Sequence, residues 1–529
     1  MSESIQDRFN NASSTQVALG TLGAVGVAYV TAKFLSDPEG FKQRLLGSLI
    51  QAARKVPGVA GAVNAELEKT LTDLEADLRI KDDDVIYSIP EEGWSHEKVL
   101  EVCRALKEAE DGRWRGGKVS GVVYHGGDEH TKMQNDVYSL FSLTNPLHPD
   151  VFPSIRKFES EIVSMAVNMM HGEEGVVGAT TSGGTESILM GCKAHRDFYR
   201  KKKGITRPEM VIPVSAHAAF DKAAHYFGIK LVHTPLDKDF RADVAAMRKA
   251  ITPNTIMVAG SAPSYAHGMV DPIPEIAALA QEFDVGCHVD GCLGGFLLPW
   301  FNELNESSIK LPLFDFRVPG VTSMSADTHK YGYSVKGSSV VLFRNRELRE
   351  SMFFVTTEWP GGIYASPTIG GSRPGGLIAA TWASLVSVGR DGFIRNARAI
   401  WETKEAIKAG VQKIDGLKLV GDSHSMVVAF QSADPKLNVF AVMQCMTDLG
   451  WSLNALQKPN SVHICVTYKH AGKQDAFLSD LQNSVNAVRS DPAKHTGGNA
   501  HVYGLAYGLP DRSTIREIIV GFLEICLKA

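Results

Sequence analysis

Residues 210–291 read MVIPVSAHAAFDKAAHYFGIKLVHTPLDKDFRADVAAMRKAITPNTIMVAGSAPSYAHGMVDPIPEIAALAQEFDVGCHVDG. Short apolar runs alternate here with stretches of helical period. MVIPV at 210–214 precedes a helix over 217–227, KLVHTP a helix over 241–251, and TIMVAG at 255–260 a helix over 273–283, before VGCHVDG at 285–291. Parallel strands need a crossover each time the chain returns, so this rhythm predicts an α/β fold with a mostly parallel sheet covered by helices on both faces. Sheets of that kind bind ligands at the carboxyl ends of their strands.

Outward from this core, a chain of 529 residues exceeds what one hydrophobic core organises. Residues 1–36 read as a tail and membrane anchor, 37–122 as a helical region, 123–376 as the large α/β domain and 377–529 as a smaller α+β domain containing MVVAFQS, SVHICVTY and a helix from Ser513. In the helical region, AVNAELEKTLTDLEADL sets Leu67, Leu71, Leu74 and Leu78 on one helix face. The composition, 44% hydrophobic and 22% charged, excludes wholesale disorder and a polytopic membrane protein. With 59 acidic against 55 basic residues there is no cationic excess to meet nucleic acid. Seven scattered cysteines fit a reducing compartment better than a disulfide scaffold.

One segment departs from this soluble character. Val17 to Leu35, VALGTLGAVGVAYVTAKFL, carries a single charge at Lys33 and approaches the ~20 residues that span a bilayer. Arg8 alone precedes it, whereas Lys33, Lys42, Arg44, Arg54 and Lys55 follow, so the positive-inside bias places the long C-terminal part in the cytosol.

The chemistry-bearing signals lie in the α/β region, where no P-loop, His-Glu-x-x-His or Gly-x-Ser-x-Gly motif occurs. Cys287-His288-Val289-Asp290-Gly291-Cys292 reads as a buried strand, not a metal site, because neighbouring side chains on a strand point to opposite faces. Thr180-Thr181-Ser182-Gly183-Gly184-Thr185-Glu186-Ser187 opens a helix that runs to Lys201-Lys202-Lys203 and stops at Gly204. A glycine pair between hydroxyl residues at a helix N-terminus leaves backbone N–H groups free to cradle a phosphate. Asp290 ends an apolar strand, and Lys330 follows another in Ser325-Ala326-Asp327-Thr328-His329-Lys330-Tyr331-Gly332. Lysine for a Schiff base, acid for a pyridinium nitrogen and an anion cradle together make the set that pyridoxal phosphate requires. His217, between MVIPV and the next helix, supplies a planar ring that could stack on such a cofactor.

At these residues the chain resembles the sphingosine-1-phosphate lyases, fold type I pyridoxal-phosphate enzymes related to the group II amino-acid decarboxylases. The resemblance is carried by NPLHPDVFPS at 145–154, TSGGTESILM at 181–190, SAHAAFDKAAHYFGIKL at 215–231, HVDGCLGGFLLPW at 288–300, ADTHKYGYSVKGSSVVLFR at 326–344 and GGIYASPTIGGSRPGG at 361–376. It implies Lys330 as the Schiff-base lysine, Asp290 as the pyridinium partner and His217 as the stacking ring. Gly183, Gly184, Thr185 and His329 would hold the cofactor phosphate. Gly371 and Ser372 resemble a segment that reaches the cofactor from the neighbouring chain, which implies a homodimer with shared sites. Tyr124, His148 and Lys336 match positions that serve the substrate phosphate and proton transfer, and Tyr265 or His267 a substrate contact in a stretch, Ser264 to His267, where the chain departs from those lyases. The implied substrate is a phosphorylated sphingoid base, and the implied location is the endoplasmic reticulum membrane, crossed once, with the catalytic part cytosolic. Two other readings stand beside this one. An amino-acid decarboxylase on the same scaffold would be expected to show a carboxylate-binding arginine and a soluble N-terminus. A catalytically silent membrane scaffold is opposed by the intact Lys330 and Asp290.

Overall fold

The structure, a computed structural model, describes residues 57–80, 85–304, 306, 309, 311–491 and 512–528. The apolar run Val17–Leu35 lies outside the described residues, and among those described no helix is long and apolar enough to cross a membrane. The chain divides into two compact units, residues 1–103 with 501–529, and residues 104–500.

In the first unit, helix α1 (Pro57–Leu78) packs on the C-terminal helix, Arg512–Leu527. The leucine face predicted for α1 meets that helix where Gly521 lets Leu71 approach, and Lys528 pairs with Glu75 at 2.9 Å. Helix α2 (His96–Trp114) leads into the second unit.

The second unit continues with α3 (Asp128–Phe141), α4 (Pro153–Met169), β1 (Val177–Thr181), α5 (Gly184–Lys203), β2 (Glu209–Pro213), α6 (Ala219–Phe227), β3 (Lys230–Thr234), α7 (Val244–Ala250), β4 (Thr255–Ser261), α8 (Ile273–Glu282), β5 (Gly286–Asp290), α9 (Leu298–Glu303), β6 (Ser323–Ala326) and β7 (Ser339–Phe343). The predicted strand and helix alternation over 210–291 is present throughout. The seven strands stand in the order β1-β7-β6-β5-β4-β2-β3, and only β7 runs against its neighbours. Strands β2, β4, β5, β6 and β7 are buried along their whole length, as expected where helices cover both faces of a sheet. Helix α5 ends where predicted, at Gly204 in the left-handed conformation, with four cations in its last turn to offset the exposed carbonyls.

After a short helix, α10 (Arg346–Glu350), and a two-stranded ribbon, β8 (Phe354–Thr356) and β9 (Tyr364–Ser366), the long helix α11 (Gly375–Val411) carries the chain onward, kinked at Gly389. A four-stranded antiparallel sheet follows, formed by β10 (Leu417–Leu419), β11 (Val427–Ser432), β12 (Asn454–Leu456) and β13 (Ser461–Cys465), with α12 (Val439–Asp448) and α13 (Gln474–Ser490) packed on each other. This is the α+β texture read from MVVAFQS and SVHICVTY.

One close approach governs the large sheet's packing on α5. The His195 ring of α5 lies against Gly286 of β5 and is held there by Gly191 O at 2.8 Å and Thr322 Oγ1 at 2.9 Å. A methyl group at 286 would occupy the ring's position. Gly286→Ala should therefore cost about 1–3 kcal/mol through overpacking, measured by chemical denaturation.

Candidate active site

The cradle is built where β1 gives way to α5. Gly183 caps the helix at φ +153°, a backbone state that side chains rarely adopt, and no side chain bonds the helix's free amides from the cap position. Those donors face outward beside the exposed Thr185. Gly184 is equally constrained, since an added Cβ would lie 2.7 Å from both Asp327 carboxylate oxygens and 2.9 Å from Cys292 Sγ. A Cβ at Gly183 would touch the His329 ring at 3.4 Å. The loop is braced by Glu186, whose Oε2 accepts the Ser182 N–H at 2.7 Å and whose Oε1 accepts the Ile369 N–H at 3.1 Å.

Lys330 sits on the turn between β6 and β7. Thr328 Oγ1 donates to Ser338 Oγ at 2.7 Å and the Ser338 N–H donates to His329 Nδ1 at 3.2 Å, which pins the turn to the start of β7. Because Nδ1 accepts, the His329 proton sits on Nε2, which faces Asp327 Oδ2 at 3.5 Å. Burial holds the His329 pKa below its ordinary value. Lys330 Nζ lies 2.8 Å from the same Asp327 oxygen, while Asp327 Oδ1 is buried without a hydrogen-bond partner. Burial disfavours the Lys330 ammonium most, but the opposing contributions, led by the Asp327 charge, together prevail and the lysine pKa is raised.

Asp290 ends β5 beside this turn, with Oδ1 accepting the Cys292 N–H at 3.0 Å and the Ser325 hydroxyl at 3.4 Å. Tyr124 is buried, edge-on to Tyr331 at 4.9 Å, and Lys336 Nζ stands 4.8 Å over its ring while donating to Val122 O at 3.0 Å. Burial raises the Tyr124 phenol, so it keeps its proton. Burial, with the Lys330 charge adding, lowers the Lys336 pKa.

Lys330, His329, Gly183, Gly184 and Asp290 are thus joined through Asp327, Cys292 and Ser325, and Tyr124 with Lys336 forms a second cluster electrostatically coupled to Lys330. Most of the other residues named from sequence are exposed. His217 is exposed at the start of α6, its Nδ1 accepting the Ala219 N–H at 3.1 Å. Tyr265 is exposed on the loop after β4, edge-on to His463 at 4.9 Å. His267, on the same loop, is buried beside Phe240. His148 is exposed on the loop after α3, whose Asn145 Nδ2 donates to Ser372 Oγ at 3.0 Å. Gly371 packs on the Tyr364 hydroxyl, and Ser372 shares with Ser182, Thr185 and Ser338 the wall of a 510 Å³ cavity beside the cradle.

Sequence reasoning assigned no role to Asp327, Cys292, Ser325, Glu186, Glu159 or Arg373. Asp327 stands in the quoted lysine string, three residues before Lys330, and that spacing within a turn was the available signal. Arg373, next to Ser372, forms a paired contact with Glu159 at 2.6 and 2.8 Å and also donates to Thr180 Oγ1 at 3.2 Å, so α4 and β1 together hold the segment that follows Ser372.

The pyridoxal-dependent decarboxylase conserved domain matches residues 124–433. Sphingosine-1-phosphate lyase of Dictyostelium discoideum is 48% identical over 96% of this chain and 95% of its own length. The enzyme of that name from Arabidopsis thaliana is 45% identical over 92% of this chain and 89% of its own. The chain belongs to the sphingosine-1-phosphate lyase family. A solved lyase of this family, from Burkholderia pseudomallei, superposes with a TM-score of 0.75 at 42% identity, covering 78% of this chain and 96% of that one. Glutamate decarboxylase of Lactobacillus brevis, 19% identical with a TM-score of 0.65, shares the fold. The lyase-family residues present here fit pyridoxal phosphate. An amine, a buried acid at a strand end and a helix terminus without side chains at Gly183 and Gly184 stand within one chain of contacts, and Gly184 lets that terminus close on Asp327.

The Glu159–Arg373 pair yields a pH-dependent prediction. Burial opposes the Glu159 charge, but hydrogen bonds from Arg373 and Thr180 prevail and lower its pKa. A lowered carboxylate pKa stabilises the fold above the unfolded value of about 4.3, and that contribution is lost as pH falls through the folded pKa. Arg373→Met should cost about 1.5–3 kcal/mol at pH 7, with the deficit shrinking near pH 4 as Glu159 protonates, read from urea melts at both pH values.

Proposed function

We propose that the chain is a pyridoxal-phosphate-dependent carbon–carbon lyase that cleaves phosphorylated long-chain sphingoid bases between C2 and C3, giving a fatty aldehyde and phosphoethanolamine. The observation that carries this reading is the placement of Lys330 Nζ beside the Gly183–Gly184 cradle, with Asp290 at the adjoining strand end. When bound, the cofactor supplies an electron sink for the pair released as the bond breaks. Lys330 would hold it through Nζ, Asp290 would keep its ring nitrogen protonated, and His217 would cover its face. The free amides at the α5 N-terminus, with Thr185 and His329, would meet its phosphate.

The chain's own groups divide the proton work. The Tyr124 phenol keeps its proton and serves as a hydrogen-bond donor, whereas Lys330, once released from the cofactor, would take the proton of the substrate's C3 hydroxyl and return it to C2. Lys336 meets the substrate phosphate as a point charge, with His148 and Tyr265 as contacts at the rim. We further propose that Val17–Leu35 anchors the chain in the endoplasmic reticulum membrane with the catalytic part cytosolic, and that two chains associate so that Gly371 and Ser372 of each complete the other's site. The anchor proposal is supported by the sequence of that run and its flanking charges.

Purified protein should be coloured, with a visible band that borohydride bleaches and that Lys330→Ala lacks. Incubation with sphinganine 1-phosphate should release phosphoethanolamine and a long-chain aldehyde. Carbon dioxide from glutamate or an aromatic amino acid, with no aldehyde from the lipid, would establish the decarboxylase instead. Deleting residues 1–35 should release the protein from membranes with its activity retained, followed by fractionation and assay. If the truncated protein stays bound, the contact lies elsewhere.

A further inference from the structure

We propose that Asp327 is the counter-ion of Lys330, a buried carboxylate whose position fixes how tightly the lysine nitrogen holds its proton and hence how strong a base Lys330 becomes when the substrate amine displaces it. This rests on the function proposed above and adds a residue to it.

Geometry supports the assignment in three ways. Asp327 Oδ2 lies 2.8 Å from Lys330 Nζ, hydrogen-bond distance for a charged pair. The carboxylate side chain is 2% exposed and Oδ1 has no hydrogen-bond partner, so its charge is spent on few neighbours. The carboxylate is also fixed in place, since its backbone N–H donates to Cys292 O at 3.4 Å and the Gly184 backbone closes over both oxygens. A buried anion with one close cation acts on that cation far more strongly than a solvated one.

Other charged or titratable groups surround the pair. His329 and Lys336 come from the same segment, Cys292 and Asp290 from the end of β5, Tyr124 from the loop before α3 and Cys465 from β13. His329 is held neutral by burial, and the thiols and the phenol are held protonated. Asp290 accepts from the Ser325 hydroxyl, and the repulsion between Lys330 and Lys336 lowers the pKa of Lys336. The Asp327 carboxylate is therefore the leading charge that favours the Lys330 ammonium.

The proton inventory is simple. A neutral Lys330 amine, freed by the substrate's amine, accepts the proton of the C3 hydroxyl as the C2–C3 bond breaks, and becomes an ammonium paired with Asp327. It then gives that proton to C2, so that lysine and carboxylate both end as they began.

The test is a pH titration of the visible band of the cofactor-loaded protein in wild type, Asp327→Asn and Asp327→Glu. Removing an anion beside a protonated nitrogen lowers its pKa, so the Asp327→Asn midpoint should fall by about one pH unit or more, a tenfold loss of proton affinity. Asp327→Glu, which keeps the charge, should stay nearer to wild type, a rescue that a purely structural role would not produce. The acid limb of the kcat profile, which reports the ionisation of the lysine base, should move to lower pH in the same order. An unchanged midpoint in folded Asp327→Asn overturns the proposal. Should that variant fail to fold, the wild type still decides: its long-wavelength band should persist through about pH 8, and its loss by about pH 7 overturns the proposal without any variant. A wild type with no visible band at all would instead sink the function proposed above.

Discussion

The parallel pairing of β5 with β6 is the constraint on which the site depends. Its register sets Asp290 opposite Ser325, and from that one alignment the rest follows. The Ser325 hydroxyl reaches Asp290 at 3.4 Å and receives the Cys292 thiol at 3.1 Å, while Ser325 O accepts the Gly291 N–H at 2.9 Å. Both strands end at the same level, so the turn carrying Asp327 and Lys330 leaves β6 beside the turn that leaves β5. A slip of one residue would turn every side chain of the strand to the opposite face and separate the acid from the amine. Specific bonds between the two strands oppose such a slip, since His288 Nδ1 meets Ser323 Oγ at 2.7 Å.

Glycine works beside this register as an absence of side chain. Gly184, Gly286 and Gly291 each stand where a methyl group would strike a neighbour that the site uses or rests upon: the Asp327 carboxylate, the His195 ring and Ser325 O. The sheet edge, the α5 N-terminus and the lysine turn can therefore approach to within contact distance, and this brings backbone amides and charged side chains to one place.

The α/β rhythm, the strand-end Asp290, the lysine turn and the glycine pair were legible because each is local. Periodicity marks strands, and a residue just after an apolar run falls at the strand's carboxyl end whatever the remainder of the chain does. The antiparallel course of β7 was not legible from periodicity, which carries no direction, although the short link from Ala326 to Ser339 has no room for a crossover helix. Nor could spacing reveal Glu159 with Arg373 or Glu186 with Ile369. Those partners lie about two hundred residues apart in sequence and meet only because α4, α5 and the segment before α11 converge at the end of β1. Asp327 is the intermediate case: its place in the sequence was plain, but its aim toward Lys330 depends on the turn conformation held by Ser338.

The charges in the proposed site also explain why a protein with two phosphates to bind needs no basic surface. The net charge is −4. One phosphate would be met by the amides at the start of α5, which add no formal charge, and the other by Lys336. The two lysines repel each other, and the Lys330 charge weakens the hold of Lys336 on its proton. Asp327 breaks the symmetry: lying in contact with Lys330, it offsets that lysine's charge and weakens the repulsion felt at Lys336. Lys336 thereby keeps its positive charge available for a phosphate dianion, while Lys330 stays basic enough to take a proton. A single carboxylate thus lets two neighbouring lysines do different work, and a broad cationic field would only blur that distinction.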